Sequence, residues 1–173
     1  VYLGNPNLKK ANTPIQFSEE QIIEFVQCQR DPVYFANKYV KIVSLDEGLV
    51  SFKPYRFQEK LINNFHENRF NICKMPRQTG KSTTVVSYLL HYAIFNDSVN
   101  IGILANKAAT ARELLGRLQT AYENLPKWMQ QGIMVWNKGS LELENGSKIL
   151  AASTSASAVR GMSFNILFLD EFA

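Results

Sequence analysis

The stretch that decides the fold is Met75-Pro76-Arg77-Gln78-Thr79-Gly80-Lys81-Ser82. It follows a short run of strand-forming residues, Phe70 to Met75, and precedes an apolar run with helical character from Ser82 to Phe95. A strand, a glycine-containing loop and a helix in this order are typical of a phosphate-binding loop. The first glycine of that pattern is replaced by Met75, so the strict motif is not met. Taken alone, the stretch also fits a solvated turn.

Each residue type in this loop suits a separate task in holding a phosphate chain. Gly80 lets the backbone approach closely and direct its N–H groups at the phosphates. The helix that starts near Ser82 adds its positive N-terminal end. Lys81 supplies a point charge for the β- and γ-phosphates, and the Ser82 hydroxyl is a ligand for Mg²⁺. The predicted nucleotide-binding residues of the loop are Arg77, Gln78, Thr79, Gly80, Lys81, Ser82 and Thr83.

A second signal lies 89 residues after Lys81, where the apolar run Ile166 to Leu169 ends in Asp170-Glu171. A carboxylate at the end of such a strand binds Mg²⁺, and the glutamate after it orients or deprotonates the attacking water. An ordinary buried strand with acidic loop residues is the alternative. Because right-handed crossovers bring this end and the loop to one sheet edge, the two signals together predict a nucleoside-triphosphate site with Mg²⁺.

Three further side chains are candidates for the same site. Arg77 could spread transition-state charge on the γ-phosphate, with a salt bridge to a nearby acid as the alternative. Gln58, at the start of the preceding helix, could read the adenine edge. Arg160, in a Ser/Ala-rich loop, suits an arginine finger for a neighbouring subunit or a sensor in its own, or it is a solvated loop residue. Tyr55 or Phe57 could stack on the base, although core packing is the expectation for both.

Strands that alternate with helices of about 10–17 residues indicate an α/β fold with a mainly parallel sheet and helices on both faces. The motifs make it a P-loop NTPase of the ASCE/RecA-like kind. Residues 55–173 are the predicted ATPase core, which we expect to be cut short after Glu171 and to belong to a longer polypeptide. Residues 1–54 are predicted to be an arm, two helices and a hairpin that pack on this core.

Composition excludes several other classes of protein. Hydrophobic residues make up 46% of the 173 residues and charged residues 20%, so the chain is not disordered as a whole. Two cysteines and two histidines are too few for a zinc site. The longest apolar stretch is too short to span a membrane. A formal charge of +4 fits a polyanionic partner and equally an ordinary basic protein.

These residues together resemble the ATPase domain of the large terminase subunit of tailed double-stranded DNA phages, of the T-even type. The resemblance is dense from Tyr55 to Phe172, and some of its motifs have no general role in phosphate binding. The stretches that carry it are Tyr55-Arg56-Phe57-Gln58, Arg77-Gln78-Thr79-Gly80-Lys81-Ser82, Gly102-Ile103-Leu104-Ala105, Trp136-Asn137-Lys138-Gly139-Ser140, Glu144-Asn145-Gly146-Ser147 and Ala158-Val159-Arg160-Gly161-Met162-Ser163-Phe164. The family's loop commonly lacks its first glycine, so Met75 agrees with the resemblance.

The resemblance implies a motor that uses ATP and Mg²⁺ to drive double-stranded DNA into an empty capsid. It carries phosphate and Mg²⁺ binding to Lys81 and Ser82, metal binding to Asp170, water activation to Glu171 and adenine recognition to Gln58. It implies a ring of subunits, contacts with the portal protein and the small terminase subunit, and no membrane. The implied location is the cytoplasm of the infected bacterial host, transiently at the procapsid portal. The family's nuclease has no counterpart in these residues.

Two other functions remain open from the residues. A RecA-like lobe of a helicase or translocase would share the glutamine, the loop and Asp170-Glu171. A nucleotide-binding module without turnover would share the loop but would have no need of the water-activating Glu171.

Overall fold

A computed structural model describes residues 4–44, 46–155 and 161–171 of the chain. Within these ranges five helices and seven strands follow one another from residue 19 to residue 170. The helices are α1 (Glu19–Arg30), α2 (Pro32–Tyr39), α3 (Arg56–Glu67), α4 (Lys81–Phe95) and α5 (Ala108–Glu123). The strands are β1 (Lys41–Ser44), β2 (Gly48–Ser51), β3 (Asn100–Ala105), β4 (Ile133–Trp136), β5 (Ser140–Leu143), β6 (Lys148–Ser153) and β7 (Ile166–Asp170).

Two sheets are present in the described residues. Strands β1 and β2 form the predicted antiparallel hairpin, and the other five strands form one sheet in the order β4-β5-β6-β3-β7. Strand β3 pairs in parallel with both β6 and β7, whereas β5 pairs antiparallel with β4 and β6. The α/β class is therefore confirmed, but the sheet is mixed instead of mainly parallel. The antiparallel half follows from the tight Asn145-Gly146 turn, because a short turn joins only antiparallel strands.

The strand predicted at Phe70 to Met75 is wrong: residues 70–76 join no sheet. Phe70 is 83% exposed and Ile72 is fully exposed, so other residues do not pack on these two apolar side chains. The backbone of residues 70–76 pairs with no strand of the described residues. Residues of this type are favoured in strands because their side chains pack well against neighbouring strands. Their composition alone does not make a segment a strand when it has no strand to pair with. Strand β7 is consequently an edge of the five-stranded sheet.

The two faces of the large sheet are buried to different extents. Helix α5 packs against β3 and β6, and the buried face carries Ile101, Ile103 and Ile149. On the opposite face of the edge strand, Leu167 and Leu169 are 48% and 40% exposed. The prediction of helices covering both faces therefore does not hold for this part of the sheet.

Helix α1 begins where its sequence predicts. The Ser18 hydroxyl accepts a hydrogen bond from the Gln21 backbone N–H at 3.2 Å, and the Gln21 side chain accepts one from the Ser18 N–H at 3.1 Å. This reciprocal capping box satisfies two N–H groups that a helix start otherwise leaves unpaired. Asp31 then ends α1 and caps α2, where Pro32 occupies the first turn.

Helix α4 is the central element of the core. Eleven of its fifteen residues are buried, from Thr84 to Phe95 apart from Tyr92, because helices α2, α3 and α5 all pack against it. A helix that is apolar on every side is typical of such a central position. The predicted phosphate-binding loop therefore leads directly into the most buried helix among the described residues.

The N-terminal arm lies against the far edge of the sheet. The Lys9 carbonyl accepts a hydrogen bond from the Ile133 N–H at 3.0 Å, and Lys10 forms a parallel bridge with Ile133. The Glu144 carboxylate accepts hydrogen bonds from the N–H groups of Asn12 and Gly132. These contacts fasten the arm to β4 and β5, the edge opposite β7.

Two general properties of the described residues concern membrane spanning and the state of the cysteines. Among the described residues, no helix combines the length and apolar character that crossing a membrane requires. Cys28 is buried and Cys73 is half-buried, and both are free thiols.

A buried histidine joins α4 to the end of α1. Pro32 has no N–H to offer the Cys28 carbonyl four residues earlier, and that carbonyl lies 2.8 Å from His91 Nε2. His91 Nε2 therefore carries the proton and donates it, while the buried Nδ1 has no partner among the described residues. Burial, with a smaller contribution from the charge of His66, lowers the pKa of His91 to about 4.

We predict that His91 makes the fold acid-sensitive. Because its pKa is lower in the folded chain than in the unfolded one, the unfolded chain binds more protons, and stability falls as the pH drops from about 6.5 through 4. The free energy of unfolding should decrease by about 3 kcal/mol over this window through this residue. Urea unfolding at several pH values should show that His91→Gln removes this part of the pH dependence. The exposed His66 provides the control, since His66→Gln should retain most of it; equal slopes for wild type and His91→Gln would contradict the assignment.

Candidate functional site

The loop before α4 has a folded-back backbone with two residues in the left-handed region. Gln78 has φ of 62° and Gly80 has φ of 75°, and the Thr79 hydroxyl donates a hydrogen bond to the Pro76 carbonyl at 3.0 Å. Glycine adopts this conformation without steric cost, whereas Gln78 does so at a cost that functional loops often retain. Gly80 is the N-cap of α4, and its carbonyl accepts the Thr84 N–H.

The N-terminal end of α4 is a cluster of free donors. The N–H groups of Gly80, Lys81, Ser82 and Thr83 have no acceptor among the residues that the structure describes. The first turn contains no acidic residue that would neutralise the positive end of the helix. This arrangement suits an anion, because the unpaired N–H groups and the helix dipole act together.

Lys81 and Asp170 come together in one cavity. They lie 89 residues apart in the chain, and both line a cavity of about 300 Å³ between the first half of α4 and the edge strand β7. The pairing of Ala105 with Asp170 places this carboxylate at the carboxyl end of β3 and β7. Gly80 brings the loop to the same edge, so a cation and a carboxylate face one space.

The Asp170 carboxyl has an altered affinity for its proton. Burial raises its pKa, the negative charge of Glu171 raises it further, and the charge of Lys81 opposes both effects. A carboxylate held partly out of water beside another carboxylate is stabilised by any cation that reaches it. Glu171 itself is exposed and has φ of 47°, a left-handed conformation that costs energy for a residue with a Cβ.

The nucleotide-binding candidates of the loop differ in exposure. Lys81, Ser82 and Thr83 are half-buried at the start of α4, while Arg77 and Gln78 are exposed. Within residues 4–44, 46–155 and 161–171, no carboxylate lies within ion-pair distance of Arg77. The salt-bridge alternative for Arg77 thus finds no acid in this part of the chain.

The structure places the residues around Gln58 differently from the sequence expectation. Gln58 is only 4% exposed, and its amide contacts the chain's own backbone. Tyr55 and Phe57 are 71% and 45% exposed, so the expectation of core packing is wrong for both. Their rings stack on one another, with centroids 5.9 Å apart and planes 9° from parallel. Arg160 lies outside the described residues.

Several side chains at the cavity were not identified from the sequence. Arg69, Asn71 and Cys73 line it from the segment between α3 and the loop. The charge of Arg117 on α5 lowers the pKa of Asp170, although Arg117 is paired with Glu113 at 2.6 Å. In the sequence, only the polar run Asn68-Arg69 before the loop pointed to Arg69, Asn71 and Cys73. Because a solvated turn has the same composition, this run did not identify them as cavity residues.

The candidate metal site has few protein ligands. Within the described ranges, no group of three or more His, Cys, Asp or Glu side chains is arranged to hold a metal ion. Mg²⁺ in nucleotide sites is bound by one or two protein oxygens, with phosphates and water completing its shell. Of the predicted pair, Asp170 lines the cavity, whereas Ser82 is half-buried at the start of α4 and is not among the residues that line it.

The comparison with protein families identifies the chain's relatives. Residues 72–173, more than half of the chain, match the family described as "Terminase large subunit, T4likevirus-type, N-terminal". The chain belongs to the T4-like terminase large-subunit family. The matched range contains the loop, Lys81 and the Asp170-Glu171 pair, and it begins just before the loop. The resemblance drawn from the sequence motifs is thereby confirmed.

A solved structure of similar fold comes from a phage terminase. The crystal structure of the HK97 bacteriophage large terminase superposes on this chain with a TM-score of 0.66, at 17% sequence identity. The superposition covers 82% of this terminase chain and 30% of the HK97 chain. At this identity the likeness concerns the fold alone. The chain thus spans about a third of the length of that large terminase.

We predict that Gly80→Ala destabilises the fold more than the same change at Gly48. Both glycines have φ near 75°, so alanine costs roughly 1–2 kcal/mol of backbone strain at either position. A Cβ at Gly80 would also lie 2.5 Å from Gln58 Nε2, while a Cβ at Gly48 would meet nothing within 4 Å. Urea unfolding of the two variants measures the difference. Equal losses of stability would show that Gln58 does not crowd Gly80.

Proposed function

We propose that this chain is the ATP-hydrolysing motor region of a phage terminase large subunit, which drives double-stranded DNA into the procapsid. The observation that carries the proposal is the meeting of Lys81 and Asp170 at one cavity, beside the free N–H groups of α4. Membership of the terminase large-subunit family supports it from an independent direction. The fold proposed for the core is that of a P-loop ATPase of the ASCE kind.

Binding of the triphosphate is assigned to the loop and the start of α4. The N–H groups of Gly80 to Thr83 would donate to phosphate oxygens, with Gln78 and Thr79 shaping the loop, and the Lys81 ammonium would lie against the β- and γ-phosphates. Adenine recognition by Gln58 stays a prediction. The exposed pair of Tyr55 and Phe57 offers a flat apolar surface on which a base could stack.

Mg²⁺ is assigned to Asp170, at the end of β7, and to Ser82, at the start of α4. The buried Asp170 carboxylate, whose pKa is raised by burial and by Glu171, would gain from a cation, and the Ser82 hydroxyl is the second protein ligand. A Mg²⁺ ion held by these residues would supply positive charge against the charge that develops on the γ-phosphoryl group.

Catalysis is assigned to three side chains. The exposed Glu171 carboxylate would orient the attacking water and accept its proton. The Arg77 guanidinium would stabilise charge on the γ-phosphoryl oxygens from within the loop. Arg160 is proposed to act in the same way, from a neighbouring subunit or in its own. A ring of subunits, contacts with the portal protein and small terminase subunit, and a place in the host cytoplasm and at the procapsid belong to this proposal.

We predict that Lys81→Ala weakens ATP binding by at least tenfold, because the variant loses the charge that faces the phosphates. Isothermal titration of this chain with ATP and Mg²⁺ measures the affinity. The matched control is Lys41→Ala, which removes the same charge at an exposed position of β1 and should bind as wild type does. Unchanged affinity in Lys81→Ala would refute the phosphate site.

We predict that Glu171→Gln reduces ATP turnover by about 10²–10⁴-fold and leaves ATP affinity nearly unchanged, because the amide cannot accept a proton from water. Turnover should be measured by phosphate release in a full-length large subunit that carries this sequence. Glu47→Gln, an exposed change in the hairpin turn, is the control. If wild type binds ATP without turnover, a nucleotide-binding module is the better description; an unchanged rate in Glu171→Gln would reassign the base.

A further inference from the structure

Both ends of the Gln58 amide are engaged by the chain's own backbone. Its Oε1 accepts a hydrogen bond from the Tyr55 N–H at 2.8 Å, and its Nε2 donates to the carbonyls of Thr79 at 3.4 Å and Gly80 at 3.5 Å. The Gly80 carbonyl also accepts two hydrogen bonds from Thr84, one from its N–H and one from its hydroxyl. Since a carbonyl oxygen has two lone pairs, the Thr79 carbonyl is the main acceptor for Gln58.

The direction of these carbonyls determines the direction of the loop's donors. A peptide unit is planar and trans, so its N–H points opposite to its C=O. The Thr79 carbonyl shares a peptide unit with the Gly80 N–H, and the Gly80 carbonyl shares one with the Lys81 N–H. Because the Thr79 carbonyl points at the Gln58 amide, the Gly80 N–H points to the other side, away from α3. The Gly80 carbonyl, and with it the Lys81 N–H, is oriented mainly by Thr84.

The same two N–H groups belong to the free donors at the start of α4. The contact with Gln58 is close: a Cβ at residue 80 would lie 2.5 Å from Gln58 Nε2, so a residue larger than glycine would require the amide to move. Gln58 is itself held, because it is 4% exposed and its Oε1 closes the first turn of α3. The buried Gln58 side chain therefore contacts the loop at Gly80, whose backbone has a positive φ.

We propose that Gln58 is a positioning residue for the phosphate cradle: its Nε2 orients the peptide unit between Thr79 and Gly80 so that the Gly80 N–H faces the phosphates. This inference rests on the nucleotide site proposed above. It gives Gln58 a task at the phosphate end of the ligand, distinct from the adenine recognition that the sequence predicts.

Two substitutions separate the donor from the other features of Gln58. Gln58→Glu keeps an acceptor for the Tyr55 N–H, since glutamate serves equally at this position of a capping box, but it has no donor and adds a charge. Gln58→Met has neither donor nor acceptor and adds no charge. An effect that both variants show is therefore attributed to the loss of the Nε2 donor. Gln21→Met is the matched control, because it removes the corresponding capping glutamine from α1, away from the loop.

The first measurement needs no nucleotide. In ¹⁵N-labelled protein, the amide signal of Gly80 should shift in both Gln58 variants and stay in place in Gln21→Met. An unchanged Gly80 signal in both Gln58 variants overturns the proposal, whatever the variants do to binding. Thermal unfolding of each variant gives the accompanying loss of stability.

The second measurement compares ATP, GTP and inorganic tripolyphosphate, each with Mg²⁺, by calorimetric titration. Loss of the positioning contact should weaken all three by a similar factor of about ten in Gln58→Met, because the defect lies at the phosphates. A loss confined to ATP overturns the proposal in favour of adenine recognition. An equal loss of tripolyphosphate affinity in Gln21→Met overturns it in favour of a general effect of stability.

The outcomes also separate this inference from the proposed function. If wild type binds none of the three ligands, the nucleotide site fails, while the amide signals still decide whether Gln58 orients the loop. If wild type binds all three and the amide signals do not move, the nucleotide site stands and the positioning role fails.

Discussion

The entry of the chain into α4 through the left-handed backbone of Gly80 is the constraint on which the site depends. This geometry lets the loop fold back over the start of the helix, where four N–H groups have no acceptor in the part of the chain that the structure describes. Any other residue at position 80 would meet the Gln58 amide as well as the strain of the positive φ. The conformation is therefore determined both by the backbone preference of glycine and by its neighbour.

The position of α4 in the core makes this constraint effective. Helices α2, α3 and α5 surround α4, so its N-terminal end cannot shift without disturbing most of the buried side chains. His91 extends the connection to α1 by satisfying a carbonyl that Pro32 leaves without its usual donor. Helices α1 and α2 thus contribute to holding the loop, although none of their residues lines the cavity between α4 and β7.

The cavity combines groups whose proximity is unfavourable for the fold alone. Asp170 is buried next to the carboxylate of Glu171, and its pKa is raised in consequence. Gln78 and Glu171 have positive φ without being glycines. Asn12 and Ser98 share this backbone conformation away from the cavity, so the positive φ alone does not mark the site. The desolvated carboxylate of Asp170 beside a second carboxylate is the feature typical of a binding or catalytic site. A cation at Asp170 would relieve part of this cost.

The local elements of the chain could be predicted from its sequence because their causes are local. The capping box at Ser18, Pro32 after Asp31, the Asn145-Gly146 turn and the apolar run of α4 each carry their own signal. The motifs also predicted the family. The sequence did not predict the irregular conformation of residues 70–76, the mixed sheet or the exposure of Tyr55 and Phe57. A strand forms only beside another strand, and a side chain is buried only where other residues pack on it. The composition of a segment does not determine either of these. The engagement of the Gln58 amide by Thr79 and Gly80 is of the same kind: the residue types were visible in the sequence, but only the packing of α3 against α4 decided which atoms they face.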